Sequence, residues 1–338
     1  MIRFPPPLRP GDRIGVTSPS SGVPDSLRPR LDFAVGWLRE RGYEVEVGEC
    51  MGQPSHVSAP VEQRAAELNR MLLDHTIKAI VPPWGGETAI DLVDRIEYDA
   101  LQHLEPTWVL GFSDTTTWML PLTLRLGWAT MHGTNLMDTP YAAADGLVHW
   151  TDLAAATEPV SQRATGVFGR NGYGDWETDP TDDTYNLDEQ GTWEVHGGGG
   201  LDVTGRLIGG CIETVSNLTG TPYGDVAGFG REHADEGLIV YLEASDDPAL
   251  EICRKLHGLR LAGWFDDADA ILIGRTSAPD SGEFSQRDAV VDALGMLDLP
   301  IVFDIECGHV PPYLPLVNGA LAHVTVAGTT REITQELA

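Results

Sequence analysis

Short apolar runs alternate with segments of helical periodicity through the first half of the chain. In the helical segments apolar residues recur every three or four positions, and glycine or proline separates them from β-branched and aromatic runs. This alternation predicts a mainly parallel, doubly wound α/β sheet that binds ligands at the carboxyl ends of its strands. The predicted strands are residues 13–18, 43–47, 79–81 and 108–111, and the predicted helices are 27–38, 61–73 and a helix from Ala89.

The middle of the chain has a different character. Residues 166–200 are rich in Gly, Asp, Thr and Trp and end in four glycines, which is typical of a linker or mobile loop. A chain of 338 residues also exceeds the usual size of one core. We therefore expect an N-terminal α/β domain over 1–165, a linker or substrate loop over 166–200, and a C-terminal α/β domain over 201–338. The elements predicted in the last domain are strands 238–242, 270–274 and 301–304 and helices 248–261 and 286–297.

Acidic residues outnumber basic ones by 51 to 22, so the formal net charge is −29. Such a field repels phosphate backbones, which excludes nucleic acid as a partner. The chain has only two lysines, Lys78 and Lys255, and acidic, lysine-poor surfaces suit a salty cytoplasm. We hypothesise a halophilic origin, because a Debye length of about 3 Å at molar salt screens the self-repulsion. Thermal stability that stays flat or falls between low and molar KCl would contradict this hypothesis.

The four cysteines lie far apart in the sequence and form no Cys-x-x-Cys pair. This spacing favours reduced, buried thiols over a zinc site or a disulfide framework. No apolar run approaches the eighteen or more residues of a membrane span, and the N-terminal residues lack a long apolar core. We therefore expect a cytoplasmic protein without a membrane partner. The cysteines are Cys50, Cys211, Cys253 and Cys307.

One apolar strand leads directly into a serine. Residues 108–111 are apolar and end in glycine, and Ser113-Asp114-Thr115 then opens a segment of helical spacing. The hydroxyl of Ser113 would stand at the carboxyl edge of the sheet, where the N–H groups of the following helix favour an acyl-transfer oxyanion. The alternative is a plain helix N-cap, which accounts for most Ser-Asp-Thr strings.

A glycine pair, Gly85-Gly86, ends a neighbouring predicted strand on the same edge. Glycine lets the backbone approach a substrate carbonyl closely and donate an N–H, although a tight turn explains the pair equally well. The glycines of 205–210 invite comparison with a phosphate-binding loop. No Gly-Lys-Ser/Thr follows them, so we reject that interpretation.

A serine nucleophile needs a base, and the base needs an acidic residue to orient it. His309 follows the apolar strand 301–304 across a Cys-Gly turn, at an edge where side chains often face a cleft. Glu243 ends the apolar strand 238–242, and a carboxylate buried there is costly unless it is paired. A solvent-exposed loop histidine and an exposed strand end are the respective alternatives.

Taken together, these motifs resemble the LD-carboxypeptidase family of serine peptidases, including its microcin C immunity branch. The resemblance covers nearly the whole chain. It rests on the order and context of Gly111-Phe112-Ser113-Asp114-Thr115-Thr116, Leu242-Glu243-Ala244-Ser245 and Gly308-His309, with further matches at Pro10-Gly11-Asp12, Trp84-Gly85-Gly86, Tyr98-Asp99 and residues 205–210.

The resemblance implies a role for each matched residue. Ser113 would be the nucleophile, His309 the general base and acid, and Glu243 the residue that orients the imidazole. The backbone N–H groups of Gly86 and Asp114 would form the oxyanion hole, and no metal or cofactor is implied. For the fold, the resemblance implies a flavodoxin-like, doubly wound N-terminal domain and a smaller, β-rich α/β C-terminal domain, with the triad assembled across their boundary, usually in a homodimer.

The family cleaves two kinds of amide. The immunity branch cuts the amide between a peptide or amino acid and a nucleotide-like group, and other members trim cell-wall tetrapeptides. Trp176 is similar in position to a tryptophan of the immunity branch that stacks on a nucleobase, and Trp193 is the competing candidate. For both tryptophans, loop anchoring is the alternative.

We expect Gly85 and Cys211 to contact substrate as well. Cys211 follows Gly209-Gly210 where relatives carry Asn, so a polar contact is missing there or replaced by a weak thiol donor. The sequence thus favours an amide hydrolase acting on a peptidyl or aminoacyl nucleotide, with a cell-wall tetrapeptide as the other substrate. A non-catalytic small-ligand binding protein is the alternative from another class.

Overall fold

A computed structural model describes residues 1–337 as two large β-sheets flanked by helices, with a third sheet of only two short strands. The strands are β1 (Arg13–Val16), β2 (Glu44–Val47), β3 (Ile77–Ile80), β4 (Trp108–Gly111), β5 (Thr130–His132), β6 (Val160–Arg163), β7 (Val167–Phe168), β8 (Glu189–Gln190), β9 (Glu194–Val195), β10 (Leu201–Cys211), β11 (Leu238–Glu243), β12 (Ala268–Gly274), β13 (Ile301–Ile305), β14 (Leu316–Asn318), β15 (Leu321–Ala327) and β16 (Thr330–Glu336).

The α-helices are α1 (Arg28–Glu40), α2 (Val61–Leu73), α3 (Tyr98–Leu101), α4 (Thr116–Leu126), α5 (Trp150–Ala154), α6 (Ile212–Val215), α7 (Val226–His233), α8 (Ala249–Leu261) and α9 (Gln286–Leu294). Short 3-10 helices are Asp25–Leu27, Ala89–Arg95, Ser113–Thr115, Leu136–Asp138, Ser216–Leu218 and Gly295–Leu297. Within residues 1–337, none of the helices has the length and apolar character that crossing a bilayer requires.

The first sheet has six strands in the order β14-β5-β4-β3-β1-β2. Its five N-terminal strands pair in parallel, and β14 adds an antiparallel edge. The predicted doubly wound parallel sheet is therefore confirmed. Because β3 and β4 are neighbours, their carboxyl ends bring the glycine pair and Ser113 to one edge, as parallel topology requires.

The second sheet has eight strands in the order β6-β16-β15-β10-β11-β12-β13-β9. Strands β10 to β13 are parallel and the outer pairs are antiparallel, which confirms the β-rich α/β character of the C-terminal part. The eleven-residue strand β10 was not predicted, because its central glycines resemble a loop in the sequence. Its Gly209 lies too close to the Tyr241 backbone for any side chain, so glycine serves tight strand packing there.

Each sheet takes one strand from the other half of the chain. Strand β6 pairs with β16 in the second sheet, and β14 pairs with β5 in the first. Helix α4, which follows Ser113, also packs against α6 and β10. Buried side chains from both halves, such as Trp118 and Ile212, share one apolar core. The linear domain boundaries therefore stay predictions, and the two sheets are joined by exchanged strands and a common core.

Three predicted elements differ in the structure. The expected helix from Ala89 is a 3-10 helix, Ala89–Arg95, which β-branched residues and aspartates disfavour as an α-helix. The helix predicted over 286–297 ends at Leu294 and continues as a 3-10 turn at Gly295. Segment 166–200 contains the short pair β7–β8 and the edge strand β9, so it is partly ordered by sheet pairing.

Candidate active site

Ser113 lies at a sharp turn between β4 and α4. Gly111 has a φ of 145°, Phe112 is extended, and Ser113 itself has a φ of 61°, in the left-handed region. A non-glycine residue in this region is strained, and such strain concentrates at functional sites. A strand, a strained serine and a helix in succession form the local geometry by which many hydrolases expose a nucleophile.

Side chains from neighbouring elements hold this turn in place. Asn135 Oδ1 accepts hydrogen bonds from the Phe112 backbone N–H at 3.3 Å and from Thr115 Oγ1 at 3.4 Å. The Asp114 carboxylate accepts hydrogen bonds from three donors, Thr117 Oγ1, Ser20 Oγ and the Ala89 backbone N–H, at 2.6–2.8 Å. The Asp114 side chain is therefore committed to the scaffold, and only its backbone N–H remains a candidate oxyanion donor.

The two glycines after β3 lie against the nucleophile turn. A Cβ atom at Gly85 would stand 2.8 Å from the Asp114 backbone nitrogen and 3.0 Å from Ser113 Oγ. A Cβ at Gly86, whose φ is 143°, would stand 2.4 Å from Ser20 Oγ. A side chain at Gly85 would displace the turn, and a side chain at Gly86 would displace Ser20 and Ser21, so the glycine at position 85 permits a close backbone approach to Ser113.

Glu243 and His309 form a hydrogen-bonded pair that the second sheet supplies. Glu243 is the last residue of β11 and is fully buried, and its Oε2 lies 2.8 Å from His309 Nδ1. Gly308 makes this approach possible, because a Cβ there would lie 2.6 Å from the same carboxylate oxygen. The other carboxylate oxygen lies 3.7 Å from Nε2 of His132, which is also fully buried.

The pair changes the pKa of both partners. Burial alone would raise the pKa of Glu243, but His309 and His132 outweigh it and hold that pKa well below its ordinary value. Burial alone would lower the pKa of His309, and the Glu243 carboxylate outweighs this and raises it. An ionised carboxylate therefore binds Nδ1, which leaves Nε2 as the nitrogen available for proton transfer.

Ser113 and His309 line one cleft of about 420 Å³ at the boundary of the two sheets. Among the described residues no hydrogen bond joins these two side chains, and catalytic hydrogen bonds are often long in ligand-free enzymes. The cleft also brings together further sequence-predicted residues, namely Gly85, Gly86 and Trp176.

Trp176 forms part of the cleft wall. Its side chain is half-buried, its Nε1 donates a hydrogen bond to the Tyr141 hydroxyl at 2.8 Å, and the Arg30 guanidinium lies 4.7 Å from its ring. The indole is thus held in a fixed orientation by a hydrogen bond and a cation–π contact. Trp176 therefore anchors its loop and also lines the cleft, so its position is compatible with both predicted roles, loop anchoring and contact with substrate.

The structure does not bring Trp193 or Cys211 to the cleft. Trp193 is 1% exposed, packs in the core of the second sheet, and donates a hydrogen bond from Nε1 to Glu306 Oε2 at 2.5 Å. Cys211 is also 1% exposed, and its thiol donates to Glu213 Oε2 at 3.2 Å. Both side chains are occupied inside the protein, which corrects their expected contact with substrate.

Sequence reasoning missed several residues around the site. His132 ends strand β5, whose three residues are too few to show a periodic pattern. A polar residue directly after an apolar run is the one sequence feature that could have identified it. Asn135 and Asp138 lie in the loop and turn that follow β5, and Asp138 lines the cleft. Their importance comes from tertiary contacts, for which the sequence carries no local motif.

One group of side chains among residues 1–337 could hold a metal ion. Ligand atoms of Cys253 and His257 on α8 and of Asp292 on α9 lie within 4.8 Å of one another. None of the three lines the cleft with Ser113. The chemistry available in the cleft itself is that of a hydroxyl, an imidazole and a carboxylate.

Comparison with known proteins gives consistent matches along the chain. The LD-carboxypeptidase N-terminal domain matches residues 14–133, and the LD-carboxypeptidase C-terminal domain matches residues 204–324. A putative carboxypeptidase of Vibrio cholerae is 26% identical over 90% of this chain and 89% of its own length. The microcin C7 self-immunity protein of Escherichia coli is 23% identical over 98% and 95% of the two chains. A probable murein peptide carboxypeptidase of Bacillus subtilis is 25% identical over 97% and 93%.

Solved structures show the same fold. The microcin C7 self-immunity protein in complex with aspartyl sulfamoyl adenosine superposes with a TM-score of 0.81, at 21% identity over 99% of this chain and 98% of that one. An MccF-like protein from Streptococcus pneumoniae in complex with AMP has a TM-score of 0.74, at 21% identity over 97% and 99%.

Proposed function

Because the chain belongs to the LD-carboxypeptidase family, we propose that it is a serine hydrolase that cleaves the amide of a peptidyl or aminoacyl nucleotide conjugate. The observation that carries this proposal is the 2.8 Å contact of His309 Nδ1 with the buried Glu243, on the same cleft as the strained Ser113. A hydroxyl, an imidazole and a carboxylate in this arrangement match the requirements of a catalytic triad.

In the proposed mechanism Ser113 Oγ attacks the amide carbonyl carbon while His309 Nε2 takes the hydroxyl proton. The backbone N–H groups of Gly86 and Asp114 stabilise the oxyanion. His309 then protonates the leaving amine, and a water molecule activated by the same imidazole hydrolyses the acyl-enzyme. Glu243 stays ionised throughout, because its depressed pKa favours the carboxylate that stabilises the imidazolium.

The choice of substrate rests on Trp176. A half-buried indole on the cleft wall offers a surface on which a nucleobase can stack, and relatives of the same fold bind aspartyl sulfamoyl adenosine and AMP. Cleavage of cell-wall tetrapeptides is the second candidate, favoured by the murein peptide carboxypeptidase among the relatives. The homodimer, the cytoplasmic location and the halophilic origin remain predictions.

A fluorophosphonate probe tests the nucleophile. We expect the wild-type protein to be labelled and Ser113→Ala to remain unlabelled, with labelling reduced in His309→Ala. Ser161→Ala, which removes an exposed hydroxyl on β6, serves as the matched control and keeps full labelling. Unchanged labelling of Ser113→Ala would refute the assignment and favour a non-catalytic binding protein.

Mass spectrometry on two substrates tests the reaction. The protein is incubated with aspartyl sulfamoyl adenosine and, separately, with a cell-wall tetrapeptide at low and molar KCl. We expect release of the amino acid from the first compound and little release of the terminal residue from the second. The reverse preference would move the proposal to the cell-wall substrate while keeping the same triad.

A further inference from the structure

The cleft wall contains a carboxyl group that the proposed mechanism does not use. Asp138 ends the 3-10 turn Leu136–Asp138, is only 6% exposed, and lines the cleft together with Ser113 and His309. Within residues 1–337 its carboxylate accepts no side-chain hydrogen bond and forms no ion pair within 4.0 Å. A buried carboxyl that lacks such partners is costly, and groups of this kind concentrate where a ligand supplies the missing partner.

The positive charges near Asp138 form no ion pair with it within 4.0 Å. The Arg30 guanidinium donates hydrogen bonds from Nε and Nη1 to the backbone carbonyls of Met137, Pro180 and Asp182 and stacks against Trp176, and its buried Nη2 has no hydrogen-bond partner among the described residues. His309 is bound to Glu243. Burial raises the pKa of Asp138 to about 7, against the opposing effects of Arg30, His309 and the Asn135 backbone N–H. These cations therefore offset the effect of burial on the carboxylate only partly.

The cleft has no fixed cation for a substrate carboxylate. No lysine or arginine lines it in the described part of the chain. The two lysines of the protein form ion pairs elsewhere, Lys78 with Glu105 and Lys255 with Asp247. The walls also contain the aromatic side chains of Trp84, Phe112 and Trp176, and apolar surroundings strengthen a charge pair. The charge pattern thus favours a cationic substrate group over an anionic one.

We propose that Asp138 binds the free ammonium group of the acyl part of the substrate. This inference rests on the proposed function and narrows it to aminoacyl conjugates, because the amine beside the scissile carbonyl is free in an aminoacyl group and is part of a peptide bond in a peptidyl group. The α-ammonium of an aminoacyl group is two bonds from the carbonyl carbon, so its partner must lie in the same cleft as the nucleophile. Asp138 meets that condition and carries the complementary charge.

Binding to an inactive protein tests the subsite without catalysis. In the Ser113→Ala background, calorimetry compares alanyl sulfamoyl adenosine with its N-acetyl derivative, which lacks the positive charge. We expect the free amine to bind at least about 30-fold more tightly, in line with the loss seen when one partner of a buried charge pair is removed. Adding Asp138→Asn removes this preference by weakening the free amine and leaves the acetylated compound nearly unchanged. Equal affinity of the two compounds for Ser113→Ala overturns the proposal.

Turnover in the active protein separates recognition from positioning. We expect Asp138→Asn to raise KM for alanyl sulfamoyl adenosine about 30-fold with little change in kcat, because the ammonium contact exists before and during the reaction. Asp188→Asn removes one charge from an exposed position of segment 166–200 and is the matched control. An equal fall in kcat for both the free and the acetylated substrate would mean that Asp138 positions His309, and would also overturn the proposal.

Two further measurements keep the outcomes distinct. Thermal unfolding and the rate of fluorophosphonate labelling show whether Asp138→Asn keeps its fold and its nucleophile. If that variant unfolds, the comparison of the two compounds on Ser113→Ala alone still decides the proposal. If the wild-type protein cleaves neither compound and resists labelling, the hydrolase function fails, while the binding comparison still reports on the ammonium subsite.

Discussion

The two sheets hold their parts of the candidate site by different means. On the first sheet the backbone does the positioning, through positive φ angles at Ser113, Gly86 and Gly111 and through glycines with no room for a Cβ. On the second sheet Gly308 also leaves room for a close approach, but the contact that orients the histidine is a charge, the buried carboxylate of Glu243. The nucleophile therefore depends mainly on space and the base depends mainly on electrostatics.

This difference predicts which substitutions disrupt the part of the candidate site on each sheet. Removing a charge without changing shape should disable the second sheet's pair and leave the serine turn intact. Adding a single methyl group beside the turn should displace the nucleophile and leave the pKa of His309 nearly unchanged. The two kinds of variant can be separated by kinetics. Removing the charge shifts the pH dependence of kcat/KM, whereas adding the methyl group lowers kcat and leaves that pH dependence unchanged.

Glu243→Gln has the largest expected effect. The amide keeps the shape of the side chain but removes the charge that stabilises an imidazolium, so we expect kcat to fall by about 10⁴-fold. In the wild-type protein kcat/KM rises with pH as His309 loses its proton, at a pKa above its ordinary value of 6.5. Without the carboxylate this pKa falls, so the acid limb moves to lower pH. Glu213 and Asp138 remain in the variant and limit the size of the shift.

A second buried glutamate offers the matched control. Glu306 is also fully buried on the second sheet and binds Trp193 Nε1, but it does not line the cleft. We expect Glu306→Gln to lower the thermal midpoint and to leave the acid limb of kcat/KM in place. If both variants moved the pH profile equally, the electrostatic account of the second sheet would be wrong.

Gly85→Ala tests the geometric half of the comparison. The new methyl group would meet the Asp114 backbone nitrogen at 2.8 Å and Ser113 Cβ at 2.9 Å. The turn must shift, and misplacement of a nucleophile by about 1 Å costs about 10²-fold in rate. We expect kcat to fall by that amount while the pH profile of kcat/KM keeps the wild-type pKa.

A glycine in open space provides the comparison for that variant. Gly36 lies within α1 and has no neighbouring heavy atom within 4 Å of an added Cβ. Gly36→Ala should keep wild-type activity and gain about 0.5–1 kcal/mol in the free energy of unfolding, as expected for a helical position. Equal kinetics for the two alanine variants would show that the space beside Ser113 is not restrictive.

The sequence predicts the first sheet better than the second. Alternating strands and helices, the glycine pair and the serine turn are all local patterns, and parallel topology then places them on one edge. Glu243 and His309 are 66 residues apart in the sequence, and only the family resemblance predicts that these two residues form a pair. Whether they are inferred from local patterns or from the family resemblance, the roles of the site residues are still proposals.

What the sequence could not supply depends on tertiary packing. Strand β10 contains glycines that resemble a loop, and only the adjoining backbone of β11 explains them. Asp138 stands in a turn with no motif, and what distinguishes it is a buried carboxyl group whose pKa is affected by the charges of Arg30 and His309. Trp176 and Trp193 lie in the same irregular segment, and composition cannot tell which of two tryptophans faces a cleft.

Those two tryptophans give the last and smallest expected effect on activity. Trp176 packs with residues of the first sheet and lines the cleft, whereas Trp193 is buried in the second sheet. Because stacking on a base is worth about 1–3 kcal/mol, we expect Trp176→Ala to raise KM for an aminoacyl sulfamoyl adenosine by about 5–150-fold. The same change should affect tetrapeptide hydrolysis less.

Trp193→Ala should instead lower the free energy of unfolding by about 3–5 kcal/mol, since it opens a cavity and leaves Glu306 without its indole partner. Steady-state kinetics and denaturant unfolding, carried out on both variants, measure this contrast. Equal losses of activity on both substrates for Trp176→Ala would contradict the stacking role. A residue that only anchors its loop would affect hydrolysis of a nucleotide conjugate and of a peptide equally.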